Sequence, residues 1–360
     1  MKQIVCLSNE SWSSSPGRTQ QLMARMKGVK ILYFSPADTW KTASLGAGGR
    51  KVRPNITAYT LPVHIFPQKE QLGALFRFEQ RRISKFIASK MSKHRMREPL
   101  LWVTSPEHVH LLDNLEYRGL VYDCDREWDD LPLPWEGTLA AASDLVFAAS
   151  VSLAERLSPC SNNIAALPNG VSYPLFSSHF SSPHRKLPKT PTFGWTGTIY
   201  EDLDLSPLLY VARARPEWNF LLIGKRQHNP YLNKLSHMHN VSLCTHCPLS
   251  ELPEQLGRCH GLLNFLRLEQ AGSDIIPTRI YEYLSTGLPI VSMLWPDQIE
   301  HFPDVIYGAN THEEFLTLCE HALDEVPDLF FQRRKAHGAA ASWSHRVEEV
   351  SRILEVTGLL

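Results

Sequence analysis

One stretch of the 360-residue sequence concentrates residue types that handle phosphate and hydroxyl groups: Gly272–Ile290, GSDIIPTRIYEYLSTGLPI. Asp274 stands in a loop ahead of a helix predicted over Pro277–Ser285. Proline in its first turn and Gly287 just past its end are the usual asymmetry of helix ends. Arg279 falls in the first turn, and Glu282, three residues on, shares its face. A helix N-terminus offers free N–H groups and the positive end of the dipole, which suits a phosphate. Arg279 adds a bidentate donor at that end. Glu282 presents an acceptor pair suited to vicinal hydroxyls such as those of a ribose. Phosphate beside ribose describes a nucleotide. The plain alternative is a surface helix with a solvated Arg and Glu.

The first half of the chain carries a second set. Asp123 and Asp125 follow the strand predicted at Leu120–Tyr122, which puts them at its carboxyl end. A carboxylate there could take a proton from a hydroxyl, as a general base does. Equally, Asp123 could cap a loop and Asp125 lie in solvent. His108 and His110 follow the strand Leu100–Val103 and a Ser105–Pro106 turn; a lone histidine is more often structural or merely exposed. The loop Ser13–Arg18 follows the first strand, and its Gly17 either lets a ligand approach or simply leads into a helix.

Elements of alternating type position these residues. Gln3–Leu7 is a strand, Arg18–Lys27 an amphipathic helix stopped by Gly28, and Ile31–Phe34 the next strand, one βαβ unit. Leu100–Val103, Leu120–Tyr122 and Leu145–Ala148 continue the strands, with helices at Glu107–Leu115 and around Leu139–Ala142. Short apolar strands alternating with helices predict parallel sheets covered on both faces. Ser177–Thr192 is rich in Ser, Pro and basic residues and reads as a linker. A second α/β domain follows, with strands at Phe193–Trp195, Phe220–Ile223, Val241–Cys244, Leu262–Phe265 and Pro289–Met293. Its helices are Leu205–Ala214, Leu252–Cys259, Pro277–Ser285 and Thr311–Leu323, the last opened by a Thr311/Glu314 capping box. The predicted plan is residues 1–180, a linker at 181–191, a second domain at 192–340, and a C-terminal helix at 341–360. Ligands of such sheets bind beyond the carboxyl ends of the strands, so a cleft between two doubly wound domains is the expected site.

Composition removes other classes. Lys plus Arg and Asp plus Glu are 37 each, and 43% of residues are apolar. That excludes a disordered or collagen-like chain and gives no basic excess for wrapping nucleic acid. Apolar runs such as Ile4–Leu7 are far below the roughly 20 residues of a membrane helix. Seven cysteines, an odd number without an export signal, read as reduced thiols in a cytoplasm. Phe76–Arg97 has eight basic residues against Glu79 alone. Its stripe of Phe76, Ile83, Phe86, Ile87 and Met91 fits either a helix lying on an anionic membrane or one packed through that stripe with its basic face solvated.

Four segments in register resemble one family. PTRIYEYLSTGLPIV is similar to the donor-binding segment of family 1/family 4 bacterial glycosyltransferases of the GT-B fold, and Asp274 to Glu282 matches their E-x7-E pattern with aspartate first. FGWTGTIYEDLDLSPLLYVARARPEWNFLLIG resembles the opening of their second domain, LPNGVSYPLF their hinge entry, and LVYDCDREW their YD-x-x-D-D-x segment. The branch most similar is the teichuronic-acid type. The resemblance spans Ile4 to Asp324 and implies two Rossmann-like doubly wound domains, with the C-terminal helix crossing back to the first. It puts Glu282 on donor ribose hydroxyls, Arg279 at the diphosphate, Thr278 among the donor-binding residues, and Asp274 near the donor sugar. Gly197 with Thr196 and Thr198 would form the phosphate loop, and Gly224 and Lys225 would edge the base pocket. His108 or His110, Gly17 and Arg18 would lie near donor sugar or acceptor, and Asp123 or Asp125 would supply a base.

Two positions depart from the family pattern. The loop after Gly197 reads Tyr200, Glu201, Asp202, Leu203, where many relatives carry an Arg and Lys pair. Arg279 then acts alone or with Lys225, Arg226 or Arg267. Ser172 stands in the usual place of an aspartate. The expected activity is transfer of a sugar from a nucleotide-diphosphate donor, UDP first and GDP second, to a hydroxyl of a glycan or lipid-linked acceptor in cell-surface polysaccharide assembly. It needs no metal or other cofactor, takes place in the cytoplasm or on the inner membrane face, and leans towards retention of configuration. A nucleotide-sugar 2-epimerase and a catalytically silent sugar- or nucleotide-binding subunit are the alternatives. Cys244-Thr-His-Cys247 with nearby histidines does not converge on a zinc site, and Gly46, Gly48 and Gly49 open no helix and form no dinucleotide fingerprint.

Overall fold

The strands bury apolar runs on both faces and assemble into two parallel sheets in the computed structural model. It describes residues 2–13, 16–36, 40–63, 73–245, 247–265, 274–293 and 301–360. The chain divides into two compact units, Met1–Pro168 with Ser344–Leu360, and Asn169–Trp343.

The first unit runs β1 (Lys2–Leu7), α1 (Arg18–Arg25), β2 (Val29–Ser35), α2 (Trp40–Gly46), β3 (Arg50–Arg53), β4 (Ile56–Thr60), α3 (Ala74–Lys93) and β5 (Leu100–Val103). A 3-10 helix (Pro106–Asn114), β6 (Gly119–Cys124), α4 (Leu133–Ala142), β7 (Leu145–Ala148), α5 (Val151–Leu157) and β8 (Ile164–Ala166) follow. Among the described residues the sheet order is β3-β4-β2-β1-β5-β6-β7-β8, with only the β3–β4 pair antiparallel. The direction of winding reverses between β1 and β5, and loops at their carboxyl ends splay apart there. Ile4, Val5, Leu32, Phe34, Leu101, Trp102, Val121 and Phe147 are fully buried, at about 1.5–3 kcal/mol of transfer free energy for each such side chain.

The second unit runs α6 (Tyr173–Ser177), β9 (Thr192–Thr196), α7 (Ser206–Ala214), β10 (Asn219–Ile223), α8 (Leu232–Ser236), β11 (Val241–Cys244), α9 (Leu252–Leu256) and β12 (Gly261–Asn264). It continues with α10 (Thr278–Thr286), β13 (Ile290–Met293), β14 (Tyr307–Ala309), α11 (His312–Asp324), α12 (Pro327–Ala340) and α13 (Trp343–Val356), whose residues from Ser344 onward belong to the first unit. The sheet order is β11-β10-β9-β12-β13-β14, so winding reverses between β9 and β12. Two cores cover its faces, one around Trp195, Leu208 and Phe315 and one around Phe176, Tyr283 and Phe331.

Several expectations are corrected. The unit boundary falls after Pro168, and the stretch 181–191 is no free linker. Phe176 and Phe180 are buried in the second core, and Arg185 donates to the carbonyls of Gly257 and Cys259 at 2.7 and 3.1 Å. Glu107–Leu115 forms a 3-10 helix, wound tightly behind Pro106. The Thr311 hydroxyl does accept from Glu314 N, but the Glu314 carboxylate reaches Asn310 N, one residue before the cap. The apolar stripe of α3 is spent inside the unit, where Phe76, Ile83, Ile87 and Met91 are buried. Within the first unit, α13 is tied down by the Lys2–Glu355 pair at 3.0 Å, and Leu359 packs against Gly119.

Candidate active site

In the second unit the switch between β9 and β12 is built from two glycines and one arginine. Gly197 and Gly224, just past β9 and β10, both hold φ +145°, a conformation that side chains rarely adopt. A Cβ on Gly224 would overlap the carbonyl of Gly197. The loops beyond run side by side, Ile199 N donating to Lys225 O and Gln227 N to Ile199 O. This close approach brings two strand ends under the first turn of α10.

Arg279 lies across that junction. Its Nη1 donates to the Thr196 carbonyl at 3.1 Å, and its guanidinium stands 5.1 Å from the centre of the Trp195 ring. A Cβ on Gly197 would come within 2.7 Å of Nη1. The charged group is therefore held at a fixed place by stacking, a hydrogen bond and a missing side chain. One turn on, the Tyr283 hydroxyl accepts from Thr196 N at 2.8 Å and from the Thr196 hydroxyl at 3.3 Å. This corrects the expectation for Thr196: its side chain faces inward to Tyr283 and supports the loop instead of lining it.

Glu282 is half-buried on the same helix. Burial pushes its carboxyl up to about 7, against the pull of Arg279. Asp274 and Thr278 are half-buried at the start of α10, Thr198 is half-buried in the Gly197 loop, and Lys225 is exposed. Gly287 ends α10 at φ +76°, and Arg334 holds that end, donating to Val305 O at 2.8 Å and to Glu325 through both Nη atoms at 2.6 Å. The loop that lacks a basic pair is tied instead by Asn229, whose Nδ2 donates to Tyr200 O and Leu203 O. Arg267 lies outside the described residues.

In the first unit the sequence-derived candidates separate into different roles. Asp123 ends β6, is completely buried, and binds Arg18 through Nε at 3.1 Å and Nη2 at 2.8 Å. It is an internal anchor, not the open carboxylate expected, and Arg18 is spent on it. Asp125 is half-buried two residues on, raised to about 6 by burial and by Asp123, against Arg18 and Arg126. Gly17 is no opening for a ligand, because the Glu10 carboxylate covers it. His110 packs edge-on between Phe76 and Trp135, ring centres 4.9 and 5.1 Å away, and so is structural. His108 lines a cavity of about 150 Å³ with Ser8, Asn9, Glu107, Arg126 and Trp128. That cavity sits at the carboxyl ends of β1, β2, β5 and β6, across the switch point. Residues 14–15 of the loop Ser13–Arg18 lie outside the described residues.

Three functional candidates were not foreseen. Glu10, three residues past β1, is half-buried and raised to about 7 by burial and by Asp125 and Asp123. Its place beyond a strand's carboxyl end next to the switch point was the available signal. Trp195 and Tyr283 read as core residues in the sequence, and nothing local distinguishes them.

Residues 206–352 match the family model for glycosyl transferase-like proteins. Bacillus subtilis (strain 168) TuaH, whose name places it as a glycosyltransferase in teichuronic acid biosynthesis, is 21% identical over 289 residues, covering 72% of each chain. A trehalose-phosphate synthase (UDP-forming) from Burkholderia vietnamiensis superposes over all of both chains with a TM-score of 0.75 at 12% identity. Sucrose-phosphate synthase from Thermosynechococcus elongatus gives 0.74 at 12%, over 99% of this chain and 98% of that one. Anabaena HepE, solved with UDP and glucose, gives 0.68 at 13%, over 99% and 100%.

Proposed function

We propose that this chain, a glycosyltransferase of the GT-B fold, moves a sugar from a UDP-sugar to a hydroxyl acceptor in the assembly of a cell-surface polysaccharide. The observation that carries the donor assignment is Arg279, fixed over Trp195 and Thr196 at the start of α10, with Glu282 one turn further. A diphosphate at the first turn of α10 meets Arg279 and the positive end of the helix dipole, and the ribose hydroxyls meet Glu282. As the bond to the anomeric carbon breaks, negative charge grows on the leaving phosphate oxygen. A pre-placed guanidinium and helix end stabilise it without having to move. These groups supply the counter-charge from the protein itself, so the proposed reaction takes no metal. On this reading Asp274, in the segment just before α10, contacts the donor sugar. Uridine is favoured as the base because HepE was solved with UDP and the trehalose-phosphate synthase is named as UDP-forming. The epimerase and silent-subunit alternatives find no support in relatives that are transferases.

The test is a thermal-shift panel of UDP, GDP, CMP and dTDP and their common sugars, with Glu282→Ala beside it. A ligand at 100 times its Kd stabilises by about 2.7 kcal/mol. A shift with UDP that the variant loses is expected; no shift with any of the four refutes the donor assignment.

The acceptor is proposed to be lipid-linked and used at the inner membrane face. No helix among the described residues is long and apolar enough to cross a membrane. What supports the surface assignment is the outer face of α3, where Arg77, Arg81 and Lys85 are exposed beside Phe78 and Leu75, 57% and 42% exposed. Basic residues near an anionic surface contribute about 1 kcal/mol each. Co-flotation with phosphatidylglycerol vesicles and not with phosphatidylcholine is expected, and is lost on reversing the three charges. Equal flotation with both lipids refutes it.

A further inference from the structure

The chain passes between its two units twice, after Pro168 and after Trp343. Inside the second unit the residues at these two passages are zipped together. Val171 N donates to Ala341 O and Trp343 N to Val171 O, both at 2.9 Å, in a parallel bridge of Val171 with Ser342. Gly170 lets them lie this close, since a Cβ there would come within 2.8 Å of the Trp343 ring and 2.9 Å of the Ala341 carbonyl. Val171 and Ala341 are buried in the core that also holds Ile276, Ile280 and Tyr281.

From this junction the half-buried Asn169 reaches the segment that leads into α10. Its Nδ2 donates to the Ile276 carbonyl at 3.1 Å, one residue before Pro277, the N-cap of α10. A side-chain oxygen at the N-cap normally fixes the first turn of a helix, as Ser150 does for α5 and Thr311 for α11. Pro277 has none to offer, and α10 starts without a side-chain cap. That first turn carries Arg279. A hold on the Ile276 carbonyl therefore sets the direction in which the turn begins, at the place where the usual cap is missing.

We propose that Asn169 is a positioning residue for this segment: it ties residues 274–277 and the first turn of α10 to the zipped passages, so that a bound donor and an intact zip favour one another. The donor half rests on the nucleotide-sugar site proposed above. Coupling of this kind is reciprocal. A nucleotide sugar that orders the first turn of α10 strengthens the Asn169 bond to Ile276, and with it the bonds of Val171 and Trp343. A chain without the amide grips the donor less well.

The test is amide hydrogen exchange on the full chain, read residue by residue by NMR, for wild type, Asn169→Ala and Asn169→Asp, with melting by circular dichroism as the folding control. Aspartate has the shape of asparagine but, ionised, no proton to donate, and it stands in if the alanine variant fails to fold. In the free protein the Ile280 amide, bonded to Pro277 O at 2.9 Å, is expected to exchange about 2–10-fold faster in either variant, the worth of one hydrogen bond. The Phe220 and Leu262 amides, bonded in the sheet, keep the wild-type rate. Saturating UDP-glucose should slow Ile280, Val171 and Trp343 in the wild type but Ile280 alone in the variants, and its Kd by calorimetry should rise about 2–10-fold. Unchanged exchange at Ile280, or faster exchange at Phe220 and Leu262 as well, overturns the proposal. So does UDP-glucose that slows Ile280 in the wild type without slowing Val171 and Trp343, or that slows these two equally without the amide. A wild type that ignores UDP-glucose at every amide refutes the donor assignment alone, because Ile280 in the free proteins still reports what Asn169 holds.

Discussion

On the proposed assignment of Glu282 to the donor ribose, its raised carboxyl makes donor binding a proton-linked event. Burial holds its proton to about 7 in the empty site, and Arg279 only partly opposes this. Hydroxyl groups donating to a carboxylate favour its charged form, so a bound ribose must expel the proton. The apparent Kd then scales as one plus the ratio of protonated to ionised Glu282. Taking the free-site value of about 7, binding is weaker about tenfold at pH 6 and about twofold at pH 7 than at pH 8.5, and the first factor is about 1.4 kcal/mol. About half a proton is released per ligand at pH 7 and about nine-tenths at pH 6. UDP-glucose is the proper probe because its diphosphate is esterified at both ends and does not titrate near neutrality. Calorimetry at pH 6, 7 and 8.5, in buffers of different ionisation enthalpy, reads both affinity and proton count. Glu282→Gln should bind about 10–100-fold more weakly at pH 8.5, for loss of hydrogen bonds to a charge worth about 1.5–3 kcal/mol. It should show no pH slope, so the gap narrows at pH 6. A wild-type Kd flat from pH 6 to 8.5, or a slope that survives in the Gln variant, refutes the assignment of Glu282 to the ribose.

Glu10 and Asp125 sit at about 7 and 6, above their ordinary values, so the folded chain binds these protons more tightly than the unfolded one. The stability they contribute is present at low pH and is lost as pH rises from about 4 through 7. Differential scanning calorimetry should find Glu10→Gln melting about 2–4 °C above wild type at pH 8, for roughly 1 kcal/mol, and no higher at pH 4. Gly224→Ala drives a methyl into the Gly197 carbonyl and forces φ out of +145°. A loss of about 2 kcal/mol or more in urea unfolding, with loss of the UDP shift, is expected. Gly48→Ala, in open space, should be neutral within about 0.5 kcal/mol. Arg334→Met leaves Glu325 buried without its partner and should cost about 3–5 kcal/mol.

How much of this was legible in the sequence follows from how locally each feature is encoded. The central strands of both sheets were, because a strand buried on both faces writes a continuous apolar run, as at Ile31–Phe34 and Phe220–Ile223; the three-residue edge strands β8 and β14 were not. Arg279 and Glu282 were, because a proline, a glycine and a spacing of three place them on one turn. The hairpin of β3 and β4 was not foreseen, since Arg50–Arg53 is an exposed edge whose polar residues look like loop. The unit boundary slipped by about a dozen residues because Phe176, Phe180 and Arg185, few among many serines and prolines, make their contacts with segments 70 or more residues away. Asp123 and Gly17 were read as open because the sequence cannot show that Arg18 and Glu10 close over them.

The absent basic pair after Gly197 gains its meaning from the same geometry. A loop that carries Glu201 and Asp202 repels a diphosphate, unless those carboxylates are turned aside and another cation is already in place. Glu201 meets His228 at 3.2 Å, and Asn229 ties the loop's carbonyls down. On the proposed donor assignment the positive charge comes instead from α10, where Arg279 is already stacked on Trp195 and hydrogen-bonded to the Thr196 carbonyl. An Arg and Lys pair on a mobile loop would have to be ordered at a cost of roughly 2 kcal/mol of side-chain entropy for each residue. A guanidinium fixed by Trp195 and the Thr196 carbonyl has met most of that cost in folding. One pre-placed cation can thus replace two flexible ones, provided Gly197 stays a glycine so that Arg279 can lie against it.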